Sequence, residues 1–220
     1  MPLRPGSTAA AANSARVRTN RMESLSDGVI AVAITLLALG ITVPSPEARP
    51  PHSLIWELGQ RWPSYAAYVV SFTTIGIIWI NHHAMLGRLQ QVDHLILLLN
   101  LWLLMSIGLL PFATSVMASY LRHTSGQAVA AAVYSGAFLL MSVAFAVLNR
   151  VILLKRSDLI GEPLDEGRRR AIFRRSILGL IPYAVATGLA FVSPYLTLII
   201  CALVAAYYAH PAASGLRVPE

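Results

Sequence analysis

Polar and charged side chains stand directly before a long apolar segment near the start of the chain. Arg21, Glu23, Ser26 and Asp27 precede residues 28–43, which contain no ionisable side chain. A carboxylate or hydroxyl at such a place can cap a helix, and an arginine beside a membrane helix marks its cytoplasmic end. The same groups can bond to neighbouring helices, since a charge at a membrane boundary is costly without a partner. The residues alone allow two interpretations: a helix cap with an arginine that anchors the topology, or a functional polar site.

The composition is that of an integral membrane protein. Of the 220 residues, 56% are hydrophobic and 12% are charged, and the mean hydropathy is +0.62. Soluble domains carry about 25% charged residues. Segments of about twenty mostly apolar residues predict membrane-spanning helices; they are residues 24–43, 62–82, 95–117, 127–149, 173–192 and 194–210. The predicted fold is therefore an all-α integral membrane protein with six transmembrane helices per chain.

These segments also predict the domain organisation and the orientation. We expect residues 1–20 to be a disordered cytoplasmic tail, residues 21–210 to form the membrane domain, and residues 211–220 to form a second cytoplasmic tail. Arginines and lysines concentrate in the first tail and between the fourth and fifth segments, where the basic run 167–175 lies. Positive residues are enriched on the cytoplasmic side of membrane proteins, which places both termini in the cytoplasm. The net charge of +7 is then explained without a nucleic-acid partner.

The polar residues and the first apolar segment form an ordered motif. Arg21 is followed by LSDGV at residues 25–29, then by Ala31, Val32 and TLL at residues 35–37. This pattern resembles the RxxxFSDGVxAIxxTLL signature of the endolysosomal potassium channel family, transmembrane protein 175, and of its bacterial relatives.

Two further elements extend the resemblance over about the first half of the chain. Trp79, His82 and His83 resemble a WxxHH element of the family's second helix, and Asn100 and Pro111 lie in a segment that resembles its third helix. The animal channels of this family carry two copies of the six-helix unit and dimerise. The single copy in this chain therefore implies a homotetramer around one pore.

The first helix carries the candidate pore-lining residues. Val32, Thr35, Leu36 and Leu39 lie at i, i+3, i+4 and i+7 and share one helix face, which on spacing alone is a lipid-facing or packed surface. The resemblance implies that this face lines the pore and that a ring of aliphatic side chains closes it by dewetting. The family usually has Ile or Leu at Val32, so a wider and less selective ring is expected. Thr35 either offers oxygen to a partly dehydrated cation or donates its hydroxyl to the carbonyl of Ala31.

A second set of candidates is a structural polar network: Arg21, Ser26, Asp27, Trp79, His82, His83 and Asn100. The predicted topology places these residues at the cytoplasmic ends of the first three helices. We expect Arg21 and Asp27 to hydrogen-bond with side chains of the second and third helices, so that the three helices act as one unit. Ordinary interfacial polar residues are the alternative for His82 and His83.

The chain contains no enzyme motif of the G-x-S-x-G, H-E-x-x-H or P-loop type. No metal or cofactor is predicted, because the adjacent His82 and His83 diverge on a helix. The predicted function is a potassium-permeable cation channel of the plasma membrane, whose partners are identical chains, the lipid bilayer and monovalent cations. A proton-conducting or secondary transporter is the alternative and requires titratable groups in mid-membrane. A non-conducting membrane scaffold is a third class.

Overall fold

The computed structural model describes residues 5–44, 53–161 and 164–209, with side chains described from residue 19 onward. The described residues are almost entirely helical. The α-helices are α1 (Pro5–Leu39), α2 (Leu54–Gln60), α3 (Trp62–Leu86), α4 (His94–Gly108), α5 (Leu110–Tyr120), α6 (Gln127–Arg150), α7 (Glu166–Leu178), α8 (Leu180–Leu189) and α9 (Pro194–Ala209). A π-helical turn, Val151–Lys155, continues α6, and a 3-10 turn, Ser157–Leu159, follows it.

Four segments of the described chain are long and apolar enough to cross a membrane. They are Thr19–Leu39 within α1, Trp62–Leu86, His94–Tyr120 and Gln127–Lys155. The prediction of an all-helical membrane protein is confirmed. The two remaining predicted spans correspond to shorter apolar helices, α8 and α9, of 10 and 16 residues.

Prolines divide two of the predicted spans into pairs of helices. Pro111 and Pro182 each lie just inside the second helix of a pair, and the breaks fall at Leu109 and Gly179. A proline has no N–H to donate, and its ring clashes with the carbonyl four residues earlier. The segment predicted as one helix over residues 173–192 is therefore two helices, α7 and α8, and its charged part belongs to α7.

The start of α1 also differs from the expectation of a disordered tail over residues 1–20. The helix begins at Pro5 and runs without interruption into the membrane segment. Alanine has the highest helix propensity, and residues 9–12 are four alanines in succession. Neither glycine nor proline occurs between Ser7 and Asp27 to end the helix. The predicted tail at residues 211–220 lies outside the described residues.

Helix α6 lies at the centre of the bundle, where it packs against α4, α5, α8 and α9. Its side chains Tyr134 and Phe138 are completely buried, and their rings meet edge to face with centroids 4.8 Å apart. Phe138 also stacks on Tyr183 of α8, at 5.5 Å between ring centroids. Helix α1 lies at the side of the bundle and packs against α3, α4 and α5.

Contacts between connections define two ends of the bundle. At one end, Asp93 caps α4 and forms an ion pair of 2.7 Å with Arg156, so that the α3–α4 and α6–α7 connections meet. At the opposite end, Arg122 Nη1 donates to Gln60 O at 3.0 Å, and the ring of Trp62 stacks on that of Tyr195. Most described arginines lie at the first end, which we call the arginine-rich end.

Candidate functional site

Three buried side chains form the centre of a polar cluster that joins α1, α3 and α4. Ser26, His82 and Asn100 are each at most 1% exposed. Asn100 Nδ2 donates to Ser26 Oγ at 2.9 Å, and Asn100 Oδ1 lies 2.7 Å from His82 Nε2. Since an amide oxygen only accepts, the proton of this bond is on His82 Nε2. One asparagine side chain thus bridges the first two membrane helices from the third.

Two further pairs connect α1 with α3 beside this centre. Trp79 Nε1 donates to Asp27 Oδ1 at 2.8 Å, and His83 Nδ1 lies 3.1 Å from Glu23 Oε1. Residues four apart on a helix are neighbours on one face, and each helix contributes two such residues. The two pairs therefore lie one turn apart along the boundary between α1 and α3. We call these four side chains, with Ser26, His82 and Asn100, the polar cluster.

Arg21 does not join the polar cluster, which corrects the predicted network. Its side chain is exposed, and no hydrogen bond or ion pair reaches it from the described residues. Arg21 and Asp27 are six residues apart, which at 100° per residue places them about 120° apart around the helix. Asp27 points toward α3, and Arg21 consequently points away from it.

The face of α1 opposite the bundle is exposed along the whole membrane segment. Val32 is 57% exposed and Leu39 76%, and Thr35 and Leu36 are exposed as well. The buried side of the same helix is formed by Ile30, Ala33 and Leu37, which are at most 2% exposed. We call Val32, Thr35, Leu36 and Leu39 the exposed stripe. The four predicted pore-lining residues therefore share one accessible face.

The hydroxyl of Thr35 is already engaged with its own helix. Thr35 Oγ1 donates to Val32 O at 2.8 Å, three residues back, and not to the carbonyl of Ala31. Because the single hydroxyl proton is used in this bond, the oxygen presents only lone pairs to the exposed side. The geometry thus combines the back-bond with an acceptor oxygen on the accessible face.

A second buried polar group, which the sequence analysis did not identify, joins α3, α5 and α6. Ser71 Oγ lies 2.8 Å from Thr114 Oγ1 and 3.2 Å from Tyr134 Oη. Thr114 also donates to Leu110 O, and Tyr134 Oη donates to Ala67 O at 3.3 Å. Hydroxyls in three different apolar spans are the signal for such a group, since interhelical hydrogen bonds hold membrane helices together. This group fixes the helices behind α1.

Within the described parts of the chain, one set of side chains has the atoms to hold a metal ion. The ligand atoms of Glu23, Asp27 and His83 lie within 4.8 Å of one another. His83 Nδ1 lies 3.1 Å from Glu23 Oε1, and Asp27 Oδ1 accepts from Trp79 Nε1. These two contacts already explain why the three side chains lie close together. The sequence prediction placed no metal here.

Comparison with known proteins places these features in one family. The family described as the endosomal/lysosomal potassium channel TMEM175 matches residues 21–111, a range that contains the exposed stripe and the whole polar cluster. A potassium channel of Streptomyces collinus is 45% identical over 190 residues, which are 86% of this chain and 91% of the relative.

A solved structure and a longer relative extend the comparison. The crystal structure of a lysosomal potassium-selective channel TMEM175 homolog from Chamaesiphon minutus is 35% identical, with a TM-score of 0.79 over 90% of this chain and 99% of that one. The endosomal/lysosomal proton channel TMEM175 of Homo sapiens is 30% identical over 179 residues, which are 79% of this chain and 35% of the human protein. Similarity to the two bacterial proteins therefore covers most of both chains.

Proposed function

The chain belongs to the TMEM175 family of potassium channels, and we propose that it is a potassium-permeable cation channel of the cell membrane. The observation that carries this proposal is the exposed stripe of α1. A membrane helix that is bonded into the bundle on one side and fully accessible on the other is suited to line a path between several chains. Four chains, each supplying one α1, form this path around a central axis.

The exposed stripe gives the path a hydrophobic constriction. Four Val32 side chains that converge on an axis leave an opening too narrow for a hydrated ion, and an apolar ring of this kind closes by losing its water. Leu36 and Leu39 extend the apolar surface along the same face. Conduction then requires a small movement of α1 that widens and wets the ring.

Thr35 supplies the polar element of the path. Its oxygen presents lone pairs to the exposed side, because its proton is held by Val32 O. Four such oxygens form a ring of acceptors in which a cation exchanges part of its hydration shell. Selectivity in this channel therefore depends on threonine hydroxyls and on the width of the neighbouring valine ring.

The topology is six spans with both termini in the cytoplasm, and the separation of the two bundle ends supports it. The α3–α4 and α6–α7 connections meet at the arginine-rich end, whereas the contacts of Gln60 with Arg122 and of Trp62 with Tyr195 lie at the opposite end. A chain that crosses the membrane several times in succession has its connections at alternate ends of the bundle. The arginine-rich end is the cytoplasmic one by the positive-inside rule.

Proton conduction is the second candidate, because the human relative is named as a proton channel. The acidic and histidine side chains of the first two spans gather at one boundary, in the polar cluster, and the exposed stripe contains none. A continuous proton path normally needs titratable groups at mid-membrane. The residues therefore favour potassium over proton conduction.

Flux from purified protein in liposomes tests the proposal. Potassium-loaded vesicles are diluted into potassium-free medium, with protein-free vesicles as the control, and potential and internal pH are followed by separate dyes. We expect a potassium diffusion potential only in vesicles with protein. If the protein alone releases no potassium, the ionophore valinomycin is added so that potassium efflux drives proton entry; acidification of the lumen that depends on the protein would then establish a proton channel, and its absence from assembled protein would leave the non-conducting scaffold.

The assembly has its own measurement. The detergent-corrected mass is expected to equal four copies of the 23.8 kDa chain. A monodisperse monomer would contradict a pore formed between chains, whatever the flux result.

A further inference from the structure

An elongated cavity lies inside the bundle, away from α1 and its exposed stripe. It has a volume of about 330 Å³ and is lined by α3, α6, α7, α8 and α9. On α3 the lining runs from Thr74 to Met85, which corresponds to about 17 Å along a helix at 1.5 Å per residue, and it continues to Arg88 just beyond the end of α3. The cavity is therefore long and narrow, and it follows the helix direction from mid-membrane to the boundary.

The two ends of this cavity differ in chemistry. At the deep end the lining includes the apolar side chains of Met141, Phe145 and Val204. At the boundary end it includes Arg88 and Arg175, with Asn149 and Ser176 beside them. This arrangement matches an amphipathic molecule with an anionic head and an apolar tail.

Among the described residues, no ion pair neutralises the positive charge at the boundary end of the cavity. Neither Arg88 nor Arg175 forms an ion pair within the described chain. Two described carboxylates of this end of the bundle are engaged with other arginines, since Asp93 pairs with Arg156 and Glu166 with Arg170.

The surroundings of the two guanidinium groups increase the demand for an anion. Burial and the neighbouring Arg168 lower the pKa of Arg88, because both disfavour the charged guanidinium. Arg175 lies over the ring of Tyr208, at 5.9 Å from the ring centroid, which orients it at the cavity mouth.

We propose that this cavity binds an anionic phospholipid, with its phosphate between Arg88 and Arg175 and one acyl chain along α3 and α6. Basic pockets between membrane helices bind anionic head groups, and arginine is well suited to phosphate oxygens. A zwitterionic head group fits less well, because its ammonium would lie near three arginines. Placement in the cytoplasmic leaflet rests on the proposed topology, whereas binding itself does not.

Native mass spectrometry of the purified protein tests the proposal without reference to conduction. The protein in detergent is titrated with phosphatidylglycerol or, separately, with phosphatidylcholine, and bound lipid is counted. We expect phosphatidylglycerol to bind at least tenfold more tightly. Loss of a charged hydrogen-bond donor in Arg88→Gln or Arg175→Gln is expected to weaken phosphatidylglycerol binding about tenfold.

Arg174→Gln is the matched control. Arg174 neighbours Arg175 on α7, is exposed and does not line the cavity, so the same loss of charge should leave binding unchanged. Equal weakening in all three variants, or equal affinity for the two lipids, would overturn the proposal in favour of general surface attraction. Arg88→Lys should recover part of the affinity, since the charge is restored.

A second comparison separates a lipid from a free anion. Inorganic phosphate and a six-carbon-chain phosphatidylglycerol are tested against the long-chain lipid. The apolar half of the cavity predicts that the long-chain lipid binds at least tenfold more tightly than either, because acyl burial adds to head-group binding. If inorganic phosphate binds as well as the long-chain lipid, the site is a phosphate site and the lipid assignment is wrong.

Discussion

Asn100 Nδ2 and Ser26 Oγ, which are 74 residues apart in sequence, form a 2.9 Å hydrogen bond between α4 and α1 in the interior of the bundle. The Ser26 hydroxyl donates to Met22 O on its own helix, so its oxygen is free to accept from Asn100. Helix α1 is therefore attached to the bundle by a hydrogen bond between two buried side chains.

Ser26→Ala should destabilise the protein more than Ser24→Ala. The first change leaves the buried Asn100 Nδ2 without an acceptor, which costs about 1–2 kcal/mol. Ser24 donates only to Asn20 O and is exposed, so its loss should be close to neutral. The midpoint of thermal unfolding in detergent measures both. Equal midpoints would show that the Ser26–Asn100 bond contributes little.

Asp27→Ala should cost about 1.5–3 kcal/mol, the range for a hydrogen bond to a charged group. The reason is loss of the Trp79 bond, since Arg21 makes no contact with Asp27. Arg21→Gln is the control and should leave the unfolding midpoint unchanged. A large loss in Arg21→Gln with none in Asp27→Ala would reverse this assignment.

Val32→Asn should raise cation flux and weaken discrimination between potassium and sodium, because the polar ring stays wet. Val32→Leu should lower flux by narrowing the ring. Val69 on α3 has the same exposed fraction, 57%, and Val69→Asn is the matched control. Flux in liposomes is the measurement, made on protein shown to be assembled. If Val69→Asn changes flux as much as Val32→Asn, the conduction path does not follow α1.

Thr35→Val should reduce selectivity for potassium while leaving assembly intact, because it removes the acceptor oxygen and preserves the shape of the side chain. Thr187 on α8 forms a similar bond to its own helix, to Tyr183 O at 2.8 Å. Thr187→Val therefore controls for the loss of a back-bond as such. The measurement is the reversal potential with potassium and sodium on opposite sides. A selectivity change shared by both variants would assign the effect to packing.

Gly40→Ala should disturb the outer end of α1. A Cβ at this position would lie 2.8 Å from Ser115 Oγ on α5, but 3.8 Å from Ser115 Cβ. We expect a loss of about 1–3 kcal/mol from overpacking, and recovery of most of it when Ser115→Ala is added. Gly136→Ala is the control, since nothing lies within 4 Å of its Cβ. No recovery in the double variant would place the conflict at Leu37 O instead.

Hydrophobic pattern was sufficient to predict four of the membrane helices, and the family resemblance indicated most members of the polar cluster. Ser26, Asp27, Trp79, His82, His83 and Asn100 do meet at one end of the first three spans. A polar group in or beside a membrane span has few partners to choose from, so a short set of such groups is forced together. Their pairing was not predictable, because it depends on helix rotation. Arg21 is an example, because it lies six residues before Asp27 and therefore points in a different direction around the helix.

Helix breaks and long-range hydroxyl contacts were harder to predict. Pro111 and Pro182 were visible in the sequence, yet hydropathy averages over them and yields one span where two helices exist. The contacts of Ser71 with Thr114 and Tyr134 join three spans. Single hydroxyls in apolar helices usually bond to their own backbone, so the presence of hydroxyls in three spans does not show which of them meet.

The shortness of α8 bears on the order in which the chain enters the membrane during its synthesis. At 10 residues it extends about 15 Å, half of the hydrocarbon thickness of about 30 Å. Helix α7 precedes α8 and carries several arginines, and placing one arginine at the centre of the bilayer costs about 2.5–3.5 kcal/mol. We therefore expect α8 to wait outside the bilayer until α9 has emerged from the ribosome. The two then insert as a hairpin, tied by Thr197 Oγ1 to Ala186 O at 3.1 Å, onto an α6 already in place.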